Sequence, residues 1–426
     1  MQRDVIKHPS WQRIAVMLVV CACACAKVDF EISRRESFAL TKTSDTRLGL
    51  LVASELEGRG DLSGFNLVLD GIDALAARIV MADPADVALD AQYFLITDDM
   101  IGMLFVGSLL DAADRGVRVR LLLDDIQTRG YDAGLAGLDS HPHFEVRVFN
   151  PFADRRTRVG DLVRDLDRVN RRMHNKSMNA DNQVALIGGR NIAAEYFNAE
   201  KGVNFGDVDV IGIGPLVSDV SRMFDRYWNH AASVPIPGFA RLPDDPAEEL
   251  ERVRREVAVA RRDASSTPYA FALERSVDYY LNDDDELYTW APHRVVYDAP
   301  EKAVPGDAGE HRSIVASLTQ AIDAAESEFV LISPYFVPQD SGVDYFRELR
   351  DRGVEVVVLT NSLASTNHAI VHSGYARARK PLLEIDLAWI DSFAEESIVF
   401  QREPETSFWQ RLSVGFMRLL PIESQL

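Results

Sequence analysis

Two stretches of this chain are variants of one another, and that duplication constrains the fold more than any other feature. Residues 90–125 are "DAQYFLITDDMIGMLFVGSLLDAADRGVRVRLLLDD" and residues 327–362 are "SEFVLISPYFVPQDSGVDYFRELRDRGVEVVVLTNS". Each holds a short apolar run, a segment of helical spacing ending in Asp-Arg-Gly, and a Val- and Leu-rich run that ends in polar residues. The shared tripeptide stands at 114–116 and again at 351–353, an offset of 237 residues. A helix closed by glycine and followed by a β-branched run predicts a strand, helix, strand unit. Right-handed crossovers of this kind build parallel sheet with helices on both faces. The expected fold is therefore α/β and duplicated, with a mixed, mostly parallel sheet flanked by helices.

The duplication also divides the chain. Residues 40–234 are expected to form a first half, 235–295 a connector and 296–426 a second half. The connector contains "RLPDDPAEELERVRREVAVARRDASSTPYA", charged and helix-prone with a Ser-Ser-Thr-Pro break, which suits a surface helix. The acidic "LNDDDELY" after it lacks the glycine and closing glutamate of a calcium loop, and reads as solvated.

Charge and cysteine usage exclude some functions. Acidic residues outnumber basic ones, 66 to 46, for a net charge of −20, which argues against a long nucleic acid as partner and leaves room for a local anion pocket. All three cysteines, Cys21, Cys23 and Cys25, lie in "IAVMLVVCACACA", so neither a disulfide framework nor a spaced-cysteine zinc site is available. That apolar run follows the basic "MQRDVIKHPSWQR" and is shorter than the roughly 20 residues of a spanning helix. Residues 1–26 fit a signal peptide, a lipoprotein signal acylated at Cys23 or Cys25, or a short uncleaved anchor. All three place the protein at a bacterial cell envelope, membrane-associated on the periplasmic side.

The chemistry concentrates in "MHNKSMNADNQVALIGGRN", residues 173–191. If the stretch is a strand, His174 and Lys176 project on one face. "VALIGG" reads as a second strand, whose Gly188 and Gly189 let backbone and Asn191 approach a bound group. A neutral imidazole beside an ammonium and an amide suits a phosphoryl centre, His attacking phosphorus while Lys and Asn hold its oxygens, with no metal or cofactor needed. A satisfied histidine in a helix-to-strand connection is the bland alternative.

His174, Lys176 and Asp181 resemble the His-x-Lys-x4-Asp motif of the phospholipase D superfamily, and Gly188, Gly189 and Asn191 its Gly-Gly/Ser-x-Asn continuation. "FGDVDVIGIGPLVSDVSRMFDRYWN", "ISPYFVP" and "LTNSLASTNHAIVHSGYARARKPLLE" are similar to segments of bacterial cardiolipin synthases. The resemblance implies a phosphatidyltransferase or phosphodiesterase that works through a phosphohistidine on an anionic glycerophospholipid, such as phosphatidylglycerol, at a membrane surface. His174 would then be nucleophile or acid, Lys176, Asn191 and Gly189 would bind phosphate, and Asp181 would be an orienting or structural carboxylate.

That family uses two such motifs, and the repeat locates the second. His174 follows Asp124 by 50 residues, so its counterpart belongs near position 411, where neither His nor Lys occurs. Beyond residues 384–390 the sequence is similar to the family's C-terminal tail, as an internal deletion would leave it. An incomplete second half admits four readings. They are an inactive relic, a homodimer in which two His174 residues meet, His372 or His368 as substitute acid, and a phospholipid-binding role without turnover. Missing strands predict open sheet edges, exposed apolar surface, and low stability or oligomerisation.

Three further groups stay open at this point. Tyr335 and Phe336 suit either a substrate pocket or the core. Arg377, with Arg379 and Lys380, faces either an anionic headgroup or plain solvent. Asp207 and Asp209 alternate along a strand, and at least one reads as structural rather than as a metal ligand.

Overall fold

The computed structural model describes residues 27–155, 158, 161, 165–199, 204–272, 274–275, 287–303, 314–363, 369–385 and 388–390. Residues 1–26, with the three cysteines, lie outside the described part, as do His368 and most of "LNDDDELY". Two compact units divide at Arg312 and Ser313.

In chain order the first unit holds α1 (Arg47–Glu55), β1 (Ser63–Val68), α2 (Gly71–Ala82), β2 (Ala88–Tyr93), α3 (Met100–Asp114), β3 (Arg118–Asp124), α4 (Asp132–Asp139) and β4 (Phe144–Phe149). It continues with α5 (Leu166–Val169), β5 (Ser177–Ala180), β6 (Val184–Gly188), β7 (Asp209–Ile213), α6 (Pro215–Trp228), β8 (Ser233–Pro235), α7 (Pro246–Ala264) and β9 (Thr289–Ala291). The nine strands form one sheet in the order β8-β4-β3-β2-β5-β6-β7-β1-β9.

The α/β class with a mixed sheet and flanking helices holds, but the balance of the sheet is a correction. Parallel pairing is confined to β2 with β3 and β3 with β4, the crossovers through α3 and α4. The other pairings in this sheet are antiparallel. One of these, β5 with β6, arises from a tight reversal where Asp181 and Asn182 both take positive φ, 50° and 52°. Asn and Asp tolerate that left-handed backbone best after glycine, and two in succession fold the chain back as a hairpin.

Alternation along each strand feeds two cores. Leu121, Val146, Met178 and Leu186 belong to the core under α2, α3, α4 and α7. Their sequence neighbours Leu122 and Ala185 join the core under α6, with Val217, Val220, Phe224 and Trp228. The α6 face also buries charge. Arg120 is held by both oxygens of Asp90, at 2.6 and 2.7 Å, and by Asp225 of α6 at 2.7 Å.

The segment expected as a surface connector is part of this unit. Asp245 caps α7 by accepting from the amides of Ala247 and Glu248, and Pro246 takes the first helical position. Val253, Val257, Ala260 and Ala264 repeat at helical spacing and are buried. Gly107 of α3 and Gly137 of α4 make the close seat possible, since a Cβ there would strike Val257 and the backbone at Leu250. β9 then pairs with β1 at the sheet edge.

The second unit contains α8 (Ile314–Asp323), β10 (Glu328–Ile332), α9 (Gln339–Asp351), β11 (Glu355–Leu359), α10 (Ala369–Glu384) and β12 (Ala388–Ile390). Its three strands are parallel, in the order β10-β11-β12. Phe346, Leu349, Val356, Val358 and Tyr375 are among its core residues. Both repeat helices end at the shared glycine, Gly116 at φ 96° and Gly353 at φ 87°, a left-handed turn that side-chain-bearing residues resist. Among the described residues no helix is long and apolar enough to cross a membrane.

Candidate active site

Because β5 runs antiparallel to both β2 and β6, the chain entering β5 lies beside the carboxyl ends of both neighbours. That places His174 next to Phe94, just beyond β2, and Lys176 next to Gly188, whose amide donates to the Lys176 carbonyl at 3.4 Å. The approach is anchored by Asp124 at the end of β3. Its carboxylate accepts from the amides of Met173 and Ile126, both at 2.8 Å, and pairs with Arg172 at 3.3 Å. Burial pushes Asp124 up to about 6, opposed by Arg172 and the two amides.

The His174 ring stands edge-on to Phe94 with centroids 4.6 Å apart and planes at 61°. Its pKa is pushed down to about 4, first by the loss of solvation among the crowded strand ends, then by Lys176 and Lys302. The residue as a whole is exposed, which tempers that desolvation and leaves the downward direction as the firm result. The direction is the part that matters: the imidazole is neutral at pH 7, with a lone pair available for attack.

Lys176 is 6% exposed, and its Nζ donates to the His174 carbonyl at 2.6 Å while lying 5.4 Å from the Phe94 ring centre. Burial lowers its pKa to about 8, against the pull of Asp207 and Asp124. The ammonium is thus desolvated and short of partners, the condition under which it attracts an anionic oxygen strongly.

The glycine pair has a role that differs from the expected one. A Cβ on Gly189 would collide with the Asp207 carboxylate, and one on Gly188 with that of Asp209. The glycines make room for acidic side chains of the neighbouring strand rather than directly for a bound group. Asp209 is wholly buried between Arg78 at 2.9 Å and Arg190 at 3.2 Å, a structural ion triad. Asp207 instead faces the site, its pKa raised by burial and restrained partly by Lys176. Among the described residues no group of His, Cys, Asp or Glu is arranged to hold a metal ion.

Asn191 follows the end of β6 and is 2% exposed. Its Nδ2 donates to the Tyr196 hydroxyl at 3.0 Å, while its Oδ1 is buried without a hydrogen-bond partner among the described residues. Turning the amide over would let Tyr196 donate to Oδ1 and free the NH2 for a ligand oxygen.

Asp181 is not part of this cluster. It closes the far end of β5, about 16 Å along the strand from Lys176 by the rise per residue. There its carboxylate accepts from the amides of Asp86, Val87 and Ala88 at 2.8, 2.8 and 2.9 Å. Of the two roles open to it, the structural one fits this geometry.

Tyr335, His372 and Arg377 lie in the second unit. Tyr335 follows β10 and is 38% exposed, whereas its neighbour Phe336 is core at 7%. His372 is buried on α10, edge-on to Tyr375 with centroids 5.4 Å apart. Arg377 projects to solvent from the same helix. Phe94, Asp124 and Lys302 carried no motif in the sequence; only contact across the sheet reveals their part.

A family profile described as "Cardiolipin synthase, PLD-like domain" matches residues 82–228, the stretch from α2 through α6 that contains this cluster. The chain is 42% identical to cardiolipin synthase C of Escherichia coli (strain K12) over 313 residues, 73% of this chain and 65% of that protein. It is 29% identical to an uncharacterized protein of Helicobacter pylori (strain ATCC 700392 / 26695) over 352 residues, 80% of this chain and 67% of that one. The chain therefore spans about two thirds of the length of these relatives. Among solved structures, phosphatidylserine synthase of Haemophilus influenzae Rd KW20 aligns with a TM-score of 0.49 at 11% identity, covering 77% of this chain and 72% of the other. The matched stretch holds the His-x-Lys cluster at its strand ends, and what the comparisons show is that residues 82–228 form a phospholipase D-like domain of the kind found in cardiolipin synthases.

Proposed function

We propose that this protein carries a half-site for phosphatidyl transfer on glycerophospholipids. The observation that carries the reading is a His174 imidazole held toward its neutral form close to the buried Lys176 ammonium at one sheet end. The imidazole nitrogen attacks phosphorus, a P–N bond forms, and the P–O bond to the leaving alcohol breaks. Lys176 and Asn191 hold the non-bridging oxygens. The departing alkoxide takes a proton, and an incoming alcohol or water later breaks the P–N bond and restores the imidazole.

Of the nine histidines only His174 has a lysine two residues on, so the sequence supplies no second motif to donate that proton. On this reading the proton comes from solvent and turnover is slow. The same absence favours a second reading, phospholipid binding without turnover. An anionic lipid such as phosphatidylglycerol is the substrate this reading names, and a position at the cell envelope on the periplasmic side follows from residues 1–26.

The test mixes the purified chain with vesicles of labelled phosphatidylglycerol. Expected are a stoichiometric, acid-labile adduct on His174 and little cardiolipin. No adduct, with lipid binding retained, transfers the case to the binding reading. Robust turnover that survives His174→Ala would sink the role of His174.

A further inference from the structure

The second unit repeats the first up to one edge, and among the described residues that edge has no partner strand. Aligned on the shared Asp-Arg-Gly, Arg118 corresponds to Glu355. Arg118 lies opposite Ala88 in the β2–β3 ladder, and Glu355 lies opposite Glu328 in the β10–β11 ladder. Phe329, Val330, Leu331 and Ile332 are therefore the counterparts of Leu89, Asp90, Ala91 and Gln92. In the first unit those four residues pair antiparallel with Ala180, Asn179, Met178 and Ser177 of β5. In the second unit β10 is a terminal strand, and among the described residues nothing stands in the place of β5.

The exposed face follows the same logic. Asp90 and Gln92 are 3% and 0% exposed, whereas Val330 and Ile332 are 50% and 71% exposed. An apolar strand edge left open is a template for another strand.

We propose that two copies of this chain associate through β10, the two edges pairing antiparallel about a two-fold axis at Val330. A two-fold axis relates two identical edges in antiparallel fashion, which is the direction the corresponding edge of β2 accepts. The register places Val330 opposite itself, Phe329 opposite Leu331, and Glu328 opposite Ile332. The two Glu328 carboxylates then stand about 13 Å apart along the ladder, so like charges do not meet. Val330 and Ile332 of both copies form one apolar row, and Phe329 and Leu331 extend the two cores toward each other. A second copy cannot lend β5 instead, because β5 sits inside the nine-stranded sheet with both edges taken.

The experiment is sedimentation equilibrium of the full chain over a hundredfold concentration range. The proposal expects a dimer for the unaltered protein and monomers for Val330→Lys, which sets two ammonium groups opposite each other, and for Ile332→Glu, which sets carboxylates opposite Glu328, with unchanged circular dichroism. Leu67→Lys, at a residue 64% exposed on β1, keeps the dimer. As a second readout, Val330→Cys in a background with Cys21, Cys23 and Cys25 changed to Ser forms an intermolecular disulfide on oxidation. A monomer at every concentration, a dimer indifferent to Ile332→Glu, or no cross-link would each overturn the proposal. None of these measurements depends on catalysis, so their outcome is separate from that of the half-site.

Discussion

Replacing Asp181 with Asn separates a structural carboxylate from a catalytic one. Asparagine tolerates the left-handed φ of 50° as aspartate does, so the turn itself is not strained by the change. What changes is the cap on the strand entry. The carboxylate accepts from three amides, with Oδ1 serving Val87 and Ala88 and Oδ2 serving Asp86. The amide side chain keeps one acceptor oxygen and turns its NH2 toward an N–H donor, which loses at least one bond and removes charge from the rest. Hydrogen bonds to a charged group contribute about 1.5–3 kcal/mol each, and the part-buried Asp86 and Val87 amides recover some of that from water. The net cost comes to about 2–3 kcal/mol. At roughly 2–4 °C per kcal/mol for a domain of this size, Tm falls by about 4–12 °C. Differential scanning calorimetry gives the shift, and lipid binding below the transition gives the site readout, which should be unchanged. Unaltered Tm with lost binding or transfer would refute the reasoning and return Asp181 to the site.

Two further predictions rest on burial. The His174 ring should titrate near 4, followed by its Hε1 resonance in NMR, and a midpoint at 6.5 or above would contradict the site electrostatics. The unfolded chain takes up that proton at the ordinary value, so it binds more protons between about pH 6.5 and 4. Stability on His174's account therefore falls as pH drops through that window, modestly because the residue as a whole is exposed, and His174→Gln removes the slope. Asp209→Asn leaves Arg78 and Arg190 buried without their counter-charge, a loss of about 3–5 kcal/mol in urea unfolding; an unchanged midpoint would show that the triad contributes nothing.

How much was legible in the sequence differs from element to element. The two strand, helix, strand units were readable because a glycine-closed helix and the strand after it are local patterns, and Gly116 and Gly353 take the left-handed turn that the repeated Asp-Arg-Gly implies. The antiparallel part of the sheet was not readable from crossover rules. Its β5–β6 hairpin depends on a reversal at Asp181 and Asn182, residues whose motif reading drew attention to chemistry rather than to turn conformation. The charged segment from Pro246 passed for a solvated helix because its four buried positions are small or β-branched and sparse. Their partners, Gly107 and Gly137, lie more than a hundred residues earlier.

By itself the sequence displayed groups suited to phosphoryl chemistry, a His-x-Lys pair and a Gly-Gly-x-Asn within residues 173–191. Covalent spacing along a chain suffices for that. Only the tertiary structure decided that Lys176 keeps company with His174 while Asp181 stands at the opposite strand end, and that Asp207 and Asp209 part into a site-facing carboxylate and a buried ion triad. It also set the direction of both shifts, the imidazole further toward its neutral form and the ammonium toward poorer solvation. Those are properties of neighbours brought in across a sheet, since desolvation and through-space charge depend on what surrounds a group rather than on what precedes it in the chain.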